Sequence, residues 1–137
     1  MNEESNTEIV RRGYEKFASG DIPGLLGLFH NNIEWKVPEI ENAAFGGSRQ
    51  GLEAVGEFFS QLHEGEEITE FVPTDFIAQG DKVVVLGRST ATVRSTGKSY
   101  STDWVHVFSL KDGKVAGFNE FFDNAAATRA FQQAAAA

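Results

Sequence analysis

Four long runs rich in β-branched and aromatic residues fill the second half of the chain, and they constrain the fold more than any other feature. They read "EITEFVPTDFIAQ" from Glu67, "DKVVVLGRSTATV" from Asp81, "KSYSTDWVHVFSL" from Lys98 and "KVAGFNEFFD" from Lys114. Runs of this composition extend as strands. The breaks between them, Gln79-Gly80-Asp81, Ser95-Thr96-Gly97 and Asp112-Gly113, are short turn sequences that make consecutive strands antiparallel neighbours. Pro73 removes a ladder donor from the first run, which predicts a bulge or an edge position.

The first half has a helical period. Ser5 and Glu8 form an S-x-x-E capping box ahead of Ile9, Val10, Tyr14 and Phe17, which predicts a helix over residues 6–19 that ends at Gly20. Asp21 then caps a second helix with Pro23 in its first turn and Leu25, Leu26, Leu28 and Phe29 on its buried side. A short strand, Ile33 to Val37, stops at Pro38, and residues 38–50 have no period and read as a loop. Leu52, Val55, Phe58, Phe59 and Leu62 predict a third helix over residues 51–63. Asp123 or Asn124 caps a short last helix through Phe131, and the alanine-rich end frays. The order is that of a single α+β domain over residues 1–137: three N-terminal helices on a curved, mainly antiparallel sheet, with a short C-terminal helix.

Strand alternation puts Trp104, His106, Phe108, Phe118, Glu120 and Phe122 on one face of the last hairpin and Val105, Val107 and Phe121 on the other. A sheet covered on one side alone has a polar outer face. This one is apolar on both, which predicts a homodimer whose second subunit covers the outer face.

With a formal charge of −8, the chain has no basic face for phosphates, so neither nucleic acid nor an anionic membrane is an expected partner. No cysteine is present, and the acidic start "MNEESNTE" is unlike a secretory signal, which predicts a cytoplasmic protein. The three histidines form no metal-binding spacing, and no glycine-rich nucleotide motif occurs, so neither a metal nor a cofactor is expected. Twelve phenylalanines suit a core or a pocket for a small apolar molecule.

The element order and four segments resemble the SnoaL-like and ketosteroid-isomerase-like branch of the nuclear-transport-factor-2-like, cystatin-like cone superfamily. The segments are Tyr14 to Trp35, Phe45 to Phe59, Phe76 to Gly87 and His106 to Asp123. The resemblance implies a cone-shaped domain with an apolar cavity, a fold that hosts isomerases, cyclases, epoxide hydrolases, dehydratases and proteins without activity. Ketosteroid-isomerase chemistry transfers poorly. The position of the general base, before Pro38, holds Val37; that of the oxyanion tyrosine holds Gly13; that of the second oxyanion donor holds His106. The limonene-epoxide-hydrolase constellation maps to Gly87, Ser89 and Glu120, of which the last alone is acidic, while Arg88 points to the other face.

His106 and Glu120 remain as candidate catalytic residues. A turn over Lys111-Asp112-Gly113 pairs Trp104 with Glu120 and His106 with Phe118, leaving the two as diagonal neighbours roughly 7 Å apart. An aromatic cavity raises a glutamate's pKa toward the range useful to a general base, and an imidazole beside it can donate to a developing enolate oxygen. Tyr14, Phe17, Trp35, Phe58, Trp104, Phe108, Phe118 and Phe122 are the expected cavity lining, with Gly87 and Ser89 leaving room beside them. Two functions fit this set. One is a cofactor-independent proton-transfer enzyme, of isomerase, cyclase or lyase type, acting on a small apolar carbonyl compound. The other is a non-catalytic small-molecule binding protein of the same fold, in which the His-Glu pair is a structural polar island.

Overall fold

Asp112 and Gly113 both adopt left-handed backbone conformations, φ 53° and 78°, and so close the last hairpin with a two-residue turn. The computed structural model in which they lie describes residues 2–133. Its elements are α1 (Glu3–Ala18), α2 (Ile22–Leu26), β1 (Phe29–Val37), β2 (Gly47–Gln50), α3 (Leu52–Gly65), β3 (Glu66–Gln79), β4 (Lys82–Val93), β5 (Ser99–Lys111), β6 (Lys114–Phe122) and α4 (Asn124–Phe131). The strands form one sheet in the order β2-β1-β6-β5-β4-β3. All neighbours are antiparallel except β1 and β6, which run parallel. The expected α+β architecture is present. The expected fraying concerns residues 134–137, outside the described residues.

Local chemistry moves several boundaries. α1 starts earlier than the capping box implied, because the Asn2 side chain accepts from Ser5 N at 2.8 Å and serves as the cap, leaving Ser5 inside the first turn. Asp21 caps α2 through Gly24 N at 2.9 Å, and Asp123 caps α4 through Ala126 N at 3.1 Å, both as expected. β1 begins at Phe29, four residues before Ile33. The region read as one loop holds β2, whose Ser48 and Arg49 pair with Lys36 and Trp35. Arg49 ties the rest of that segment down by donating to Phe45 O at 2.6 Å and Ala44 O at 3.2 Å, and Ile40 and Phe45 are buried. β3 is an edge strand with a register shift between Pro73 and Asp75, so Pro73 meets both of its expectations.

The hairpin register differs from expectation in one respect that matters. The turn has two residues where three were expected, and Ala116 is an extra residue in β6, since Leu110 pairs with Val115 and Ser109 with Gly117. Together these shifts place His106 directly opposite Glu120, with Trp104 opposite Phe122. A diagonal pair becomes a facing pair.

On the inner face of the sheet, Val83, Val85 and Val93 of β4 are sealed beneath the helices, along with Val10 of α1, Ile33 of β1 and Val55 of α3. α1 lies against β3, β4 and β6, and α3 against β1, β2 and β3. On the outer face, Ile77, Val84 and Val107 form one transverse row, and Leu86, Val105 and Phe121 another. Phe121 is 53% exposed and Ile77 54%. No helix among the described residues is long and apolar enough to cross a membrane.

Candidate functional site

α1 and α3 roof the inner face of the sheet without filling it. The cavity left between them gives about 100 Å³ to the centres of water-sized molecules. One water needs roughly 10–15 Å³ on that measure, so the space takes several waters or a small organic molecule. Its wall is mostly aromatic. Tyr14, Phe17, Trp35, Phe58, Phe108, Phe118 and Phe122 line it, and Ser89 lies among them. Trp35 stacks on Phe118 with ring centroids 3.9 Å apart, which fixes β1 against β6 at the cavity wall.

Gly87 and Trp104 stand differently from expectation. Gly87 does not leave room for a ligand, because the Trp104 indole lies over it so closely that a Cβ at residue 87 would overlap the ring. The indole fills that space, stacking on Phe71 at 4.9 Å and on His106 at 3.9 Å, and neither Gly87 nor Trp104 lines the cavity. Trp104 is a backing plate for the histidine.

His106 is 4% exposed and has a hydrogen-bond partner on each ring nitrogen. Its Nε2 is 2.6 Å from Glu120 Oε2, and its Nδ1 is 2.7 Å from the Tyr14 hydroxyl. A carboxylate accepts and does not donate. An ionised Glu120 therefore holds a hydrogen on Nε2, and a neutral His106 then uses Nδ1 to accept from the Tyr14 O–H. Burial, followed by the charge of Glu120, pushes the Tyr14 phenol well above its ordinary value, so it keeps its proton near neutral pH. Tyr14 was expected as lining. Its hydroxyl completes a three-residue chain across α1, β5 and β6.

A second polar pair was absent from the sequence reading. Glu66, first residue of β3, accepts from the Tyr100 hydroxyl at 2.6 Å, and both residues line the cavity. Burial pushes the Glu66 carboxyl up to about 7; the Tyr100 bond opposes that rise and the charge of Glu120 adds to it. The signal for Tyr100 was present, since it continues the alternation of Thr102, Trp104 and His106 along β5. The signal for Glu66 was weak, because a register shift between Ile68 and Glu70 breaks the alternation that links it to Phe71. Among the described residues, no three histidine, aspartate or glutamate side chains converge as metal ligands.

The SnoaL-like domain family model matches residues 10–118. An NTF2-like protein from Burkholderia xenovorans LB400 is 32% identical with a TM-score of 0.87, the match covering 96% of this chain and 99% of that one. An NTF2-like protein of unknown function from Burkholderia pseudomallei K96243 is 29% identical over the same shares, with a TM-score of 0.86. TerC, solved as a co-crystal with polyporic acid, is 30% identical with a TM-score of 0.84, the match covering 93% of this chain and 98% of that one. No curated protein matches the sequence. The family match takes in α1 from Val10 through β6 to Phe118, and with it Tyr14 and His106 on the framework that carries the cavity: the chain belongs to the SnoaL-like domain family.

Proposed function

We propose that this protein is a cofactor-independent proton-transfer enzyme, of isomerase, cyclase or lyase type, acting on a small apolar carbonyl compound held in the cavity. The observation that carries the reading is the Tyr14–His106–Glu120 chain, three hydrogen-bonded groups set in a largely apolar wall. Glu120 uses Oε2 for His106, and Oε1 is the base. It takes a proton from the carbon next to the carbonyl, and the electron pair of that C–H bond moves through the new C=C bond onto the carbonyl oxygen. Returning the proton to a different carbon completes an isomerisation. The carbonyl oxygen competes with His106 Nδ1 for the Tyr14 proton. As a neutral carbonyl it competes weakly, and as an enolate strongly, so the bond strengthens where charge develops. The donor to the ligand is thus Tyr14 rather than His106, both of whose nitrogens are engaged.

TerC, 30% identical, was co-crystallised with polyporic acid, which supports the reading that a protein of this fold takes an organic ligand. The test is exchange of α-protons in heavy water across a panel of ketones, which requires no knowledge of the product. Exchange by the wild-type protein that Glu120→Gln abolishes is the expected result. Ketones that bind without any exchange would leave the chain as a binding protein.

We also propose that a second copy of the chain covers the outer face. The two apolar rows through Ile77 and Phe121 support this, since large apolar side chains left in water on adjacent strands form a contiguous patch.

A further inference from the structure

The proton-transfer chemistry leaves Glu66 and Tyr100 unused. Tyr100 stands six residues before His106 on the same face of β5. The two polar groups line different parts of one cavity, close enough together for the charge of Glu120 to act on both Glu66 and Tyr100. Glu66 is 6% exposed and has no ion-pair partner among the described residues. Its carboxyl accepts one side-chain hydrogen bond, from Tyr100 to Oε2. Both oxygens of a carboxyl bond to partners when they can, and Oε1 is the atom left for a ligand in the cavity that Glu66 lines.

We propose that Glu66 and Tyr100 bind a hydroxyl group of the ligand at the end remote from its carbonyl, so that the substrate class is a hydroxylated apolar carbonyl compound and not a plain ketone. The inference rests on the ligand cavity of the proposed function but not on its proton transfer. The choice of a hydroxyl follows from the carboxyl's two states. Burial holds Glu66 near 7, so acid and carboxylate are both populated close to neutral pH. A hydroxyl donates to the carboxylate and accepts from the acid. A carbonyl or an ether can do only the second, and is left facing lone pairs when the proton leaves.

The probes are acetophenone, para-hydroxyacetophenone and para-methoxyacetophenone, which share a flat apolar body and an enolisable carbonyl. Calorimetry on the wild-type protein near neutral pH should show the hydroxy compound binding about tenfold more tightly than the parent, with the methoxy compound no better than the parent. In the double variant Glu66→Leu with Tyr100→Phe, which leaves neither partner unsatisfied, that preference should fall to about twofold or less, the ratio of the two affinities being the readout. A readout that needs no variant is the nuclear Overhauser effect in the wild-type complex, where ring protons next to the ligand hydroxyl should contact Tyr100. Equal binding of parent and hydroxy compound, or a hydroxyl end lying at Tyr14, would overturn the proposal. Loss of α-proton exchange with selectivity intact sinks the enzyme reading alone, whereas exchange without selectivity sinks this one alone.

Discussion

Trp104 and His106 lie face to face, ring centroids 3.9 Å apart and planes 14° from parallel, with the indole pressed over the backbone of Gly87. The absence of a side chain on β4 thus makes room for the ring that backs a histidine on β5. Gly87→Ala should force the indole away, at about 1–3 kcal/mol of stability as overpacking, and should disturb the Tyr14 and Glu120 bonds of His106 with it. Chemical denaturation measures the first effect and ketone exchange the second. A variant as stable and active as wild type would show that the ring can move without consequence.

Replacing members of the polar chain separates chemistry from architecture. Glu120→Gln keeps the shape and removes the base, and should lower α-proton exchange roughly a hundredfold or more with ligand affinity nearly intact. Tyr14→Phe removes the enolate donor and should act mainly on kcat. A purely structural pair makes a different prediction. His106→Phe or Glu120→Leu alone would then destabilise by about 1–3 kcal/mol, the double change would recover much of it, and wild type would show no exchange to lose.

Alternation along β5 and β6 made one side of the site legible, because a two-residue period assigns faces without any knowledge of register. His106, Glu120, Phe108, Phe118 and Phe122 all lie on the inner face for that reason. Register was not legible, since it depends on whether Asp112 adopts a left-handed conformation and on the extra residue Ala116. The Tyr14–His106 bond joins residues 92 apart in sequence. A helix's rotation over a sheet is set by packing, so periodicity put Tyr14 on the buried face of α1 but could not give it a partner. The crossing of Trp104 over Gly87 is likewise a side-chain choice that a small residue permits and does not dictate.

The outer face bears on assembly. Val107→Asp with Phe121→Lys places charges in the two apolar rows and should convert a dimer to monomer or aggregate, because taking charged side chains out of water into an apolar contact costs several kcal/mol. Sedimentation reads the outcome. A wild-type monomer at micromolar concentration would refute the proposed dimer before any variant is made.

Glu66 makes stability depend on pH in a direction opposite to that of an ordinary surface carboxylate. Its pKa rises from 4.5 to about 7 on folding, chiefly through burial. Between those values the folded chain holds a proton that the unfolded chain has released, so stability falls as pH rises through the window. Below about 4.5 both states are protonated and the full contribution is present; above about 7 both are ionised and it is lost. The span corresponds to about 3 kcal/mol. Glu66→Gln has no proton to lose and still accepts from Tyr100, so the variant should gain on wild type by about that amount between pH 5 and 8, nearly all other groups titrating alike in the two proteins. Adding Glu120→Gln to both members removes a charge that raises Glu66, and should move the midpoint of the difference to lower pH. Denaturant midpoints across the range give the difference curve directly. A flat curve would mean that Glu66 ionises as it would in water, and that Glu66→Gln relieves no buried charge.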